Sequence, residues 1–190
     1  VTALLEVVDA RQVMVEGELR PLPDPFFVLA TQNPADQIGV FQLPESQMDR
    51  FLMRLSMGFP PRAAERALLM QEDRRALLRE LKPSMSPSQL RSTQEQVEQV
   101  TTSAALIDYL LALIEYTRRH PGLKQGLSPR AGLALRRAAQ AWALLAGRSG
   151  VIPEDVQAVF PAVAGHRLIA AERERAAPSA QMILEAVAIP

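Results

Sequence analysis

Cysteine is absent from this 190-residue chain, which excludes disulfides, thiolate metal sites and a cysteine nucleophile. The absence agrees with a reducing, cytoplasmic setting. No stretch reaches the run of about 18 apolar residues that marks a membrane-crossing helix, and no basic, apolar, small signal pattern occurs. Excess charge of one sign is missing too. The 21 basic and 21 acidic residues cancel, so no whole-chain field steers the protein to nucleic acid or an anionic membrane. Lysine is scarce: only Lys82 and Lys124 occur among the 21 basic residues, leaving 19 arginines. A GC-rich coding bias explains that more simply than an arginine-recognition function. Last, no G-x-x-x-x-G-K-S/T occurs, so these residues contain no loop of the kind that cradles nucleotide phosphates.

What is present is ordinary for a globular protein, with 48% hydrophobic and 22% charged residues in a length that suits one full domain or two small ones. Val1-Thr-Ala-Leu-Leu-Glu6 reads as the middle of a helix continuing to Ala10, so the chain is expected to be a piece of a longer protein. Val13 to Arg20 alternates in the strand manner about Glu16-Gly17-Glu18, which predicts a β-hairpin over about residues 12–22. After Pro21-Leu-Pro-Asp-Pro25, the apolar run from Phe26 predicts a strand over 26–31, buried on both faces as in a parallel sheet. A short helix is expected from Pro44 to Arg50 and a further strand from Phe51 to Met57. Beyond Gly58-Phe-Pro-Pro61 strand signals vanish. Arg62 to Leu81 reads as one amphipathic helix, and Leu106, Tyr109, Leu110, Leu113, Ile114 and Thr117 follow the spacing of a buried helical face. Ser128-Pro129-Arg130 starts a helix with Ser as N-cap and Pro in the first turn; its expected buried face is Leu135, Ala138, Trp142 and Leu145. Pro153-Glu-Asp155 opens another, and a last helix runs from about Pro178 to Val187. The fold class expected is therefore an α/β fragment over residues 1–57, followed by an all-helical domain over 58–190.

Three residues stand out for chemistry. Asn33 follows a predicted strand, where open parallel sheets collect ligands, and its amide can orient a water while donating to a phosphate oxygen. An ordinary Asn-Pro turn explains the same residues on spacing alone. Arg50 offers a planar fork for phosphate oxygens, although Asp49-Arg50 also reads as a surface ion pair. Arg130 falls in the first turn of its helix, where a cation opposes the macrodipole, and an anion held by the helix end and Arg130 together would remove that conflict. A solvent-screened arginine is the plainer reading. His120 and His166 lack ligand spacing, so no metal site is expected. Glu172-Arg-Glu-Arg175 reads as a solvated face, and Trp142 as core.

Several motifs together resemble the MoxR-type AAA+ ATPases: Leu4-Leu-Glu6, Arg11-Gln-Val13, Gly17-Glu18, Pro21-Leu-Pro-Asp-Pro-Phe-Phe-Val28, Ala30-Thr-Gln-Asn-Pro34, Leu43-Pro-Glu45 and Asp49-Arg-Phe-Leu52. Thr117-Arg118, His120-Pro121, Ser128-Pro-Arg-Ala131, Pro153-Glu-Asp-Val156 and His166-Arg-Leu168 continue the likeness in order, so it spans essentially the whole chain. The resemblance implies the end of an AAA+ core with its hairpin insert, then a helical lid. It implies Asn33 as sensor 1, which positions the attacking water, Arg50 as an arginine finger reaching a neighbouring subunit's ATP site, and Arg130 as sensor 2. Whether Arg130 serves its own nucleotide or a neighbour's stays open. The cofactors implied are ATP and Mg²⁺ in the full-length protein, with the P-loop and Walker B acid upstream of Val1. The chain alone is then expected to be inactive. Implied partners are copies of itself in a ring, a hexamer in the family pattern, a client protein, and a von Willebrand factor A domain protein.

The sequence departs from the family pattern at Asn33-Pro-Ala-Asp-Gln-Ile-Gly-Val-Phe41, which has less charge than usual and lacks a hydroxyl, and at Ile152, where a threonine cap is usual and its loss should cost about 1 kcal/mol. Two other classes remain in view: a non-catalytic module docking a partner through its lid and hairpin, and a DNA-acting ring ATPase, which the neutral charge disfavours.

Overall fold

The computed structural model describes residues 11–32, 44–70, 75–172 and 176–189. The helix expected at 2–10, Asn33 and the departing run 33–41 lie outside the described residues.

The hairpin forms as an antiparallel pair, β1 (Gln12–Val15) and β2 (Glu18–Pro21), with Val13 opposite Arg20 and Val15 opposite Glu18. Its two-residue turn places Glu16 at φ 53° and Gly17 at φ 84°, the double positive φ of the tight turn whose twist matches paired strands. Residues 26–32 and 51–57 differ from expectation, for neither segment forms a strand. A parallel strand must hand its amides and carbonyls to neighbouring strands, and no described strand pairs with either one. Their apolar side chains are accordingly uncovered, with Phe27 81% and Met57 95% exposed.

Among the described residues eight helices follow. Helix α1 (Glu45–Met48) is a single turn; of the stretch expected as one long helix, Arg62–Met70 (α2) and Arg75–Glu80 (α3) are helical, and 71–74 lie outside the described residues. The packed body is built from α4 (Pro87–Gln99), α5 (Ala104–Arg119), α6 (Pro129–Leu145), α7 (Pro153–Ala164) and α8 (Ala180–Ala186). Ser86, Ser103, Ser128 and Ser179 each cap a helix by accepting a backbone N–H three residues on. The apolar face of α5 is buried as its spacing predicts, and it meets Val156, Val159, Phe160 and Val163 of α7 and Ile183 of α8 in one core.

Helix α6 corrects an expectation. Its buried stripe is Ala131, Ala134, Leu135, Ala138, Ala139 and Ala143, whereas Trp142 and Leu145 are 49% and 81% exposed. Alanines let two helix backbones approach closely, so a small-residue stripe replaces the large residues expected there. Gln140 is buried on the same helix and donates to the Val100 carbonyl at 2.7 Å, fastening α6 to the end of α4.

The loop between α6 and α7 is closed by Arg148 and Asp155, whose fork and carboxylate meet at 2.5 Å on both arms. Asp155 also accepts from the Ile152 amide at 3.0 Å, supplying from the helix interior one of the two bonds of a capping box. Burial alone would raise the Asp155 carboxyl, but the hydrogen bonds from Arg148 and Ile152 outweigh it and hold the group below its ordinary value.

Candidate functional site

The N-terminus of α6 is fixed from behind by α5. Thr117, fully buried, donates to the Ile114 carbonyl at 2.6 Å and accepts from the Leu127 amide at 3.0 Å, while Arg118 Nε donates to the Leu127 carbonyl at 3.0 Å. Gly126 allows this approach: a Cβ there would sit 2.4 Å from the Arg118 backbone. The chain is thus held up to the residue before Ser128, and Arg130 follows in the first turn of the helix.

Asp49 joins this helix end to the segment that bears Arg50. Its Oδ2 accepts from the Ser128 hydroxyl at 2.9 Å, and its Oδ1 accepts from Arg167 Nε at 2.7 Å. Ser128 uses the same oxygen to accept from the Ala131 amide at 3.1 Å, so one hydroxyl caps α6 and binds Asp49. Burial alone would push the Asp49 carboxyl up. The hydrogen bonds from Arg167 and Ser128, with the charges of Arg167 and Arg130, hold it below the usual carboxylate value. Asp49 is therefore an anion seated at the start of α6. That resolves within the protein part of the electrostatic conflict that Arg130 poses at a helix N-terminus.

Arg167 is the residue that local sequence does not flag. Its side chain is 5% exposed and lies 118 residues from Asp49 in the chain. Beyond the Asp49 carboxylate, Nη2 donates to the carbonyls of Asp49 at 2.9 Å and Phe51 at 2.7 Å, and Nη1 to those of Leu52 at 3.3 Å and Val163. The Arg54 amide adds a bond to the Ala162 carbonyl at 2.9 Å. The turn around Arg50 is thereby docked on the end of α7. Neighbouring His166 is buried, and its ring nitrogens make no hydrogen bond of good geometry among the described residues, only weaker contacts with the Phe51 and Ala162 backbone. Burial, followed by the nearby charge of Arg167, pushes its pKa down to about 4.

Arg50 and Arg130 line the same open groove of about 640 Å³, together with Arg136, Arg137, Arg167, Asp49 and Glu98. Among the described residues the lining carries five guanidiniums and two carboxylates; Arg167 is committed to Asp49 and Arg137 lies 3.6 Å from Glu98, and the remaining surplus of cation suits a multiply charged anion. Among the described residues there is no group of three His, Cys, Asp or Glu that could hold a metal ion, and no helix long and apolar enough to cross a membrane. The groove can receive phosphate oxygens. Of the three phosphate-facing candidates, Arg50 and Arg130 come together, and Asn33 lies outside the described residues.

Comparison with known proteins places the chain in a class. Residues 1–53 match the family described as ATPase family associated with various cellular activities (AAA), and residues 115–187 match the AAA lid domain. The chain is 39% identical over 168 residues to the uncharacterized protein YeaC of Bacillus subtilis, covering 88% of this chain and 52% of that protein. It is 38% identical over 177 residues to the chaperone MoxR1 of Mycobacterium tuberculosis, covering 88% and 46%. The crystal structure of a candidate ATPase from Cytophaga hutchinsonii superposes with a TM-score of 0.84 at 30% identity, over 97% of this chain and 59% of that one. The chain belongs to the MoxR family of AAA+ proteins. It spans about half the length of the curated relatives it matches.

Proposed function

We propose that this chain supplies the arginine-bearing side of an ATP site formed between subunits of a MoxR-like AAA+ ATPase. The observation that carries the reading is the shared groove: Arg50 and Arg130 open onto one anion-suited surface, although they are 80 positions apart in the sequence. If Arg50 reaches the nucleotide of a neighbouring subunit, Arg130 on the same groove reaches that nucleotide too. Sensor 2 then acts in trans, beside the finger.

When bound, ATP with its Mg²⁺ supplies the γ-phosphoryl group and its leaving oxygen. The chain's own contribution is electrostatic. Two guanidiniums carried on backbone that Arg167, Asp49 and Ser128 hold in place need little reorganisation as negative charge redistributes over the phosphoryl oxygens. Asp49, an anion already satisfied by Arg167 and Ser128, keeps its charge directed inward. Asn33 is assigned to a different site, that of its own subunit, where it orients the attacking water. The parent protein couples hydrolysis in a ring to the remodelling of client proteins, in keeping with the chaperone naming of the relative MoxR1. A von Willebrand factor A domain partner rests on family resemblance alone.

Hydrolysis by the full-length protein that carries this sequence tests the reading. Arg50→Ala should lower its ATP turnover by about a thousandfold or more, and the 190-residue chain alone should show none. Unchanged turnover in the Arg50→Ala protein would sink the finger assignment.

A further inference from the structure

We propose that Arg167 is the positioning residue that holds Arg50 at the groove, and that through Asp49 it fixes Arg50 and Arg130 relative to one another. The carbonyls of Asp49 and Phe51, immediately before and after Arg50, both accept from Nη2, and the Leu52 and Val163 carbonyls accept from Nη1. One guanidinium therefore ties the peptide groups on either side of Arg50 to the last full turn of α7. Nε is committed to the Asp49 carboxylate, whose other oxygen takes the hydroxyl of Ser128, two residues before Arg130.

Arg50 thus adjoins Asp49 in the chain, and Arg130 lies two residues from Ser128, which is bonded to Asp49. A finger carried on an exposed turn would otherwise sample many backbone conformations, because α1 is one turn long and residues 53–61 form no regular structure. Arg167 removes that freedom without occupying the space where a ligand would sit. The planar fork is needed for this: five donors in a fixed plane reach five acceptors, whereas a lysine ammonium has three donors on a flexible stem. The positioning claim stands on these contacts alone. Its catalytic consequence rests on the reading of Arg50 as a finger.

Amide hydrogen exchange separates the two. In Arg167→Lys, the amides of Arg50, Phe51 and Arg54, bonded to the carbonyls of Gln47, Met48 and Ala162, should exchange at least about tenfold faster, while α5 and α6 keep their protection. The milder Asp49→Asn should raise the same rates less and leave the fold intact. In the full-length ATPase, Arg167→Lys should lower kcat by about 10- to 100-fold, with KM for ATP within about threefold. Arg50→Ala with Arg167→Lys should be no slower than Arg50→Ala alone, because a misplaced finger and a missing one cost the same step. Unchanged exchange at residues 50–54 in Arg167→Lys overturns the proposal, as does a double variant whose losses multiply. Faster exchange in a protein whose turnover ignores Arg50→Ala supports the clamp and overturns the finger reading.

Discussion

His166 makes the acid stability of this domain predictable. Its ring is 6% exposed, lies against the backbone of Phe51 and Ala162, whose weak contacts favour the charged form only slightly, and is flanked by the cations Arg167 and Arg54. Burial first, and those charges second, favour the neutral ring and take the pKa from 6.5 down to about 4. The unfolded chain therefore binds a proton between those two values that the folded chain refuses. Stability is fully present above pH 6.5 and is lost as pH falls towards about 4. At about 1.36 kcal/mol for each pH unit, the interval amounts to a loss of about 3 kcal/mol, a large share of the 5–15 kcal/mol typical of a domain. Urea unfolding of the chain at steps from pH 7 to pH 4 reads this loss directly. His166→Leu fills a similar volume and removes the titrating group, so its stability should be nearly flat over the same range. Its acid loss should then begin below 3.8, where Asp49 and Asp155, both held below their ordinary values, take up protons. Equal pH slopes for the two proteins would refute the argument, and would show that the ring is not buried neutral at the Arg167 corner.

Two further predictions concern how α6 and α7 are anchored. Asp155→Ala strips Arg148 of its partner and leaves the Ile152 amide without a side-chain acceptor; because Arg148 is partly exposed, we expect a loss of about 2–3 kcal/mol in urea unfolding. Ser128→Ala removes an N-cap and one of the Asp49 bonds together and should cost about 1–2 kcal/mol; calorimetry of the chain would register it as a lower Tm, and an unchanged Tm would count against the shared role of that hydroxyl.

The helical part was legible because its signals are local. Ser128-Pro129 marks a helix start through its own hydroxyl and ring, and the buried face of α5 is written in spacing alone. The hairpin was legible for the same reason, since Glu16-Gly17 meets the backbone demand of a tight turn. Strands at 26–31 and 51–57 were not secured by their apolar runs, because a strand exists only through partners elsewhere. Trp142 shows the limit of periodicity: it shares a face with Leu135, yet the packing is made by the alanine stripe that ends at Ala143. The site divides the same way. Arg50 and Arg130 could be singled out by residue type and by a broken local rule. Arg167 could not, for nothing near it in the chain announces a pairing 118 residues away. Its one signal was membership of the His166-Arg-Leu168 motif, which names the residue without telling its role.

Subunit mixing tests the central claim, that Arg50 and Arg130 serve one nucleotide held by a neighbour. In the full-length protein, a variant of the P-loop lysine and the Arg130→Ala variant should each hydrolyse ATP poorly alone. Mixed, they should regain activity, because an intact pocket on the Arg130→Ala subunit then meets an intact groove on the other. A mixture as inactive as its two components, while P-loop-lysine and Arg50→Ala variants do complement each other, would put Arg130 on its own subunit's nucleotide and contradict the shared groove.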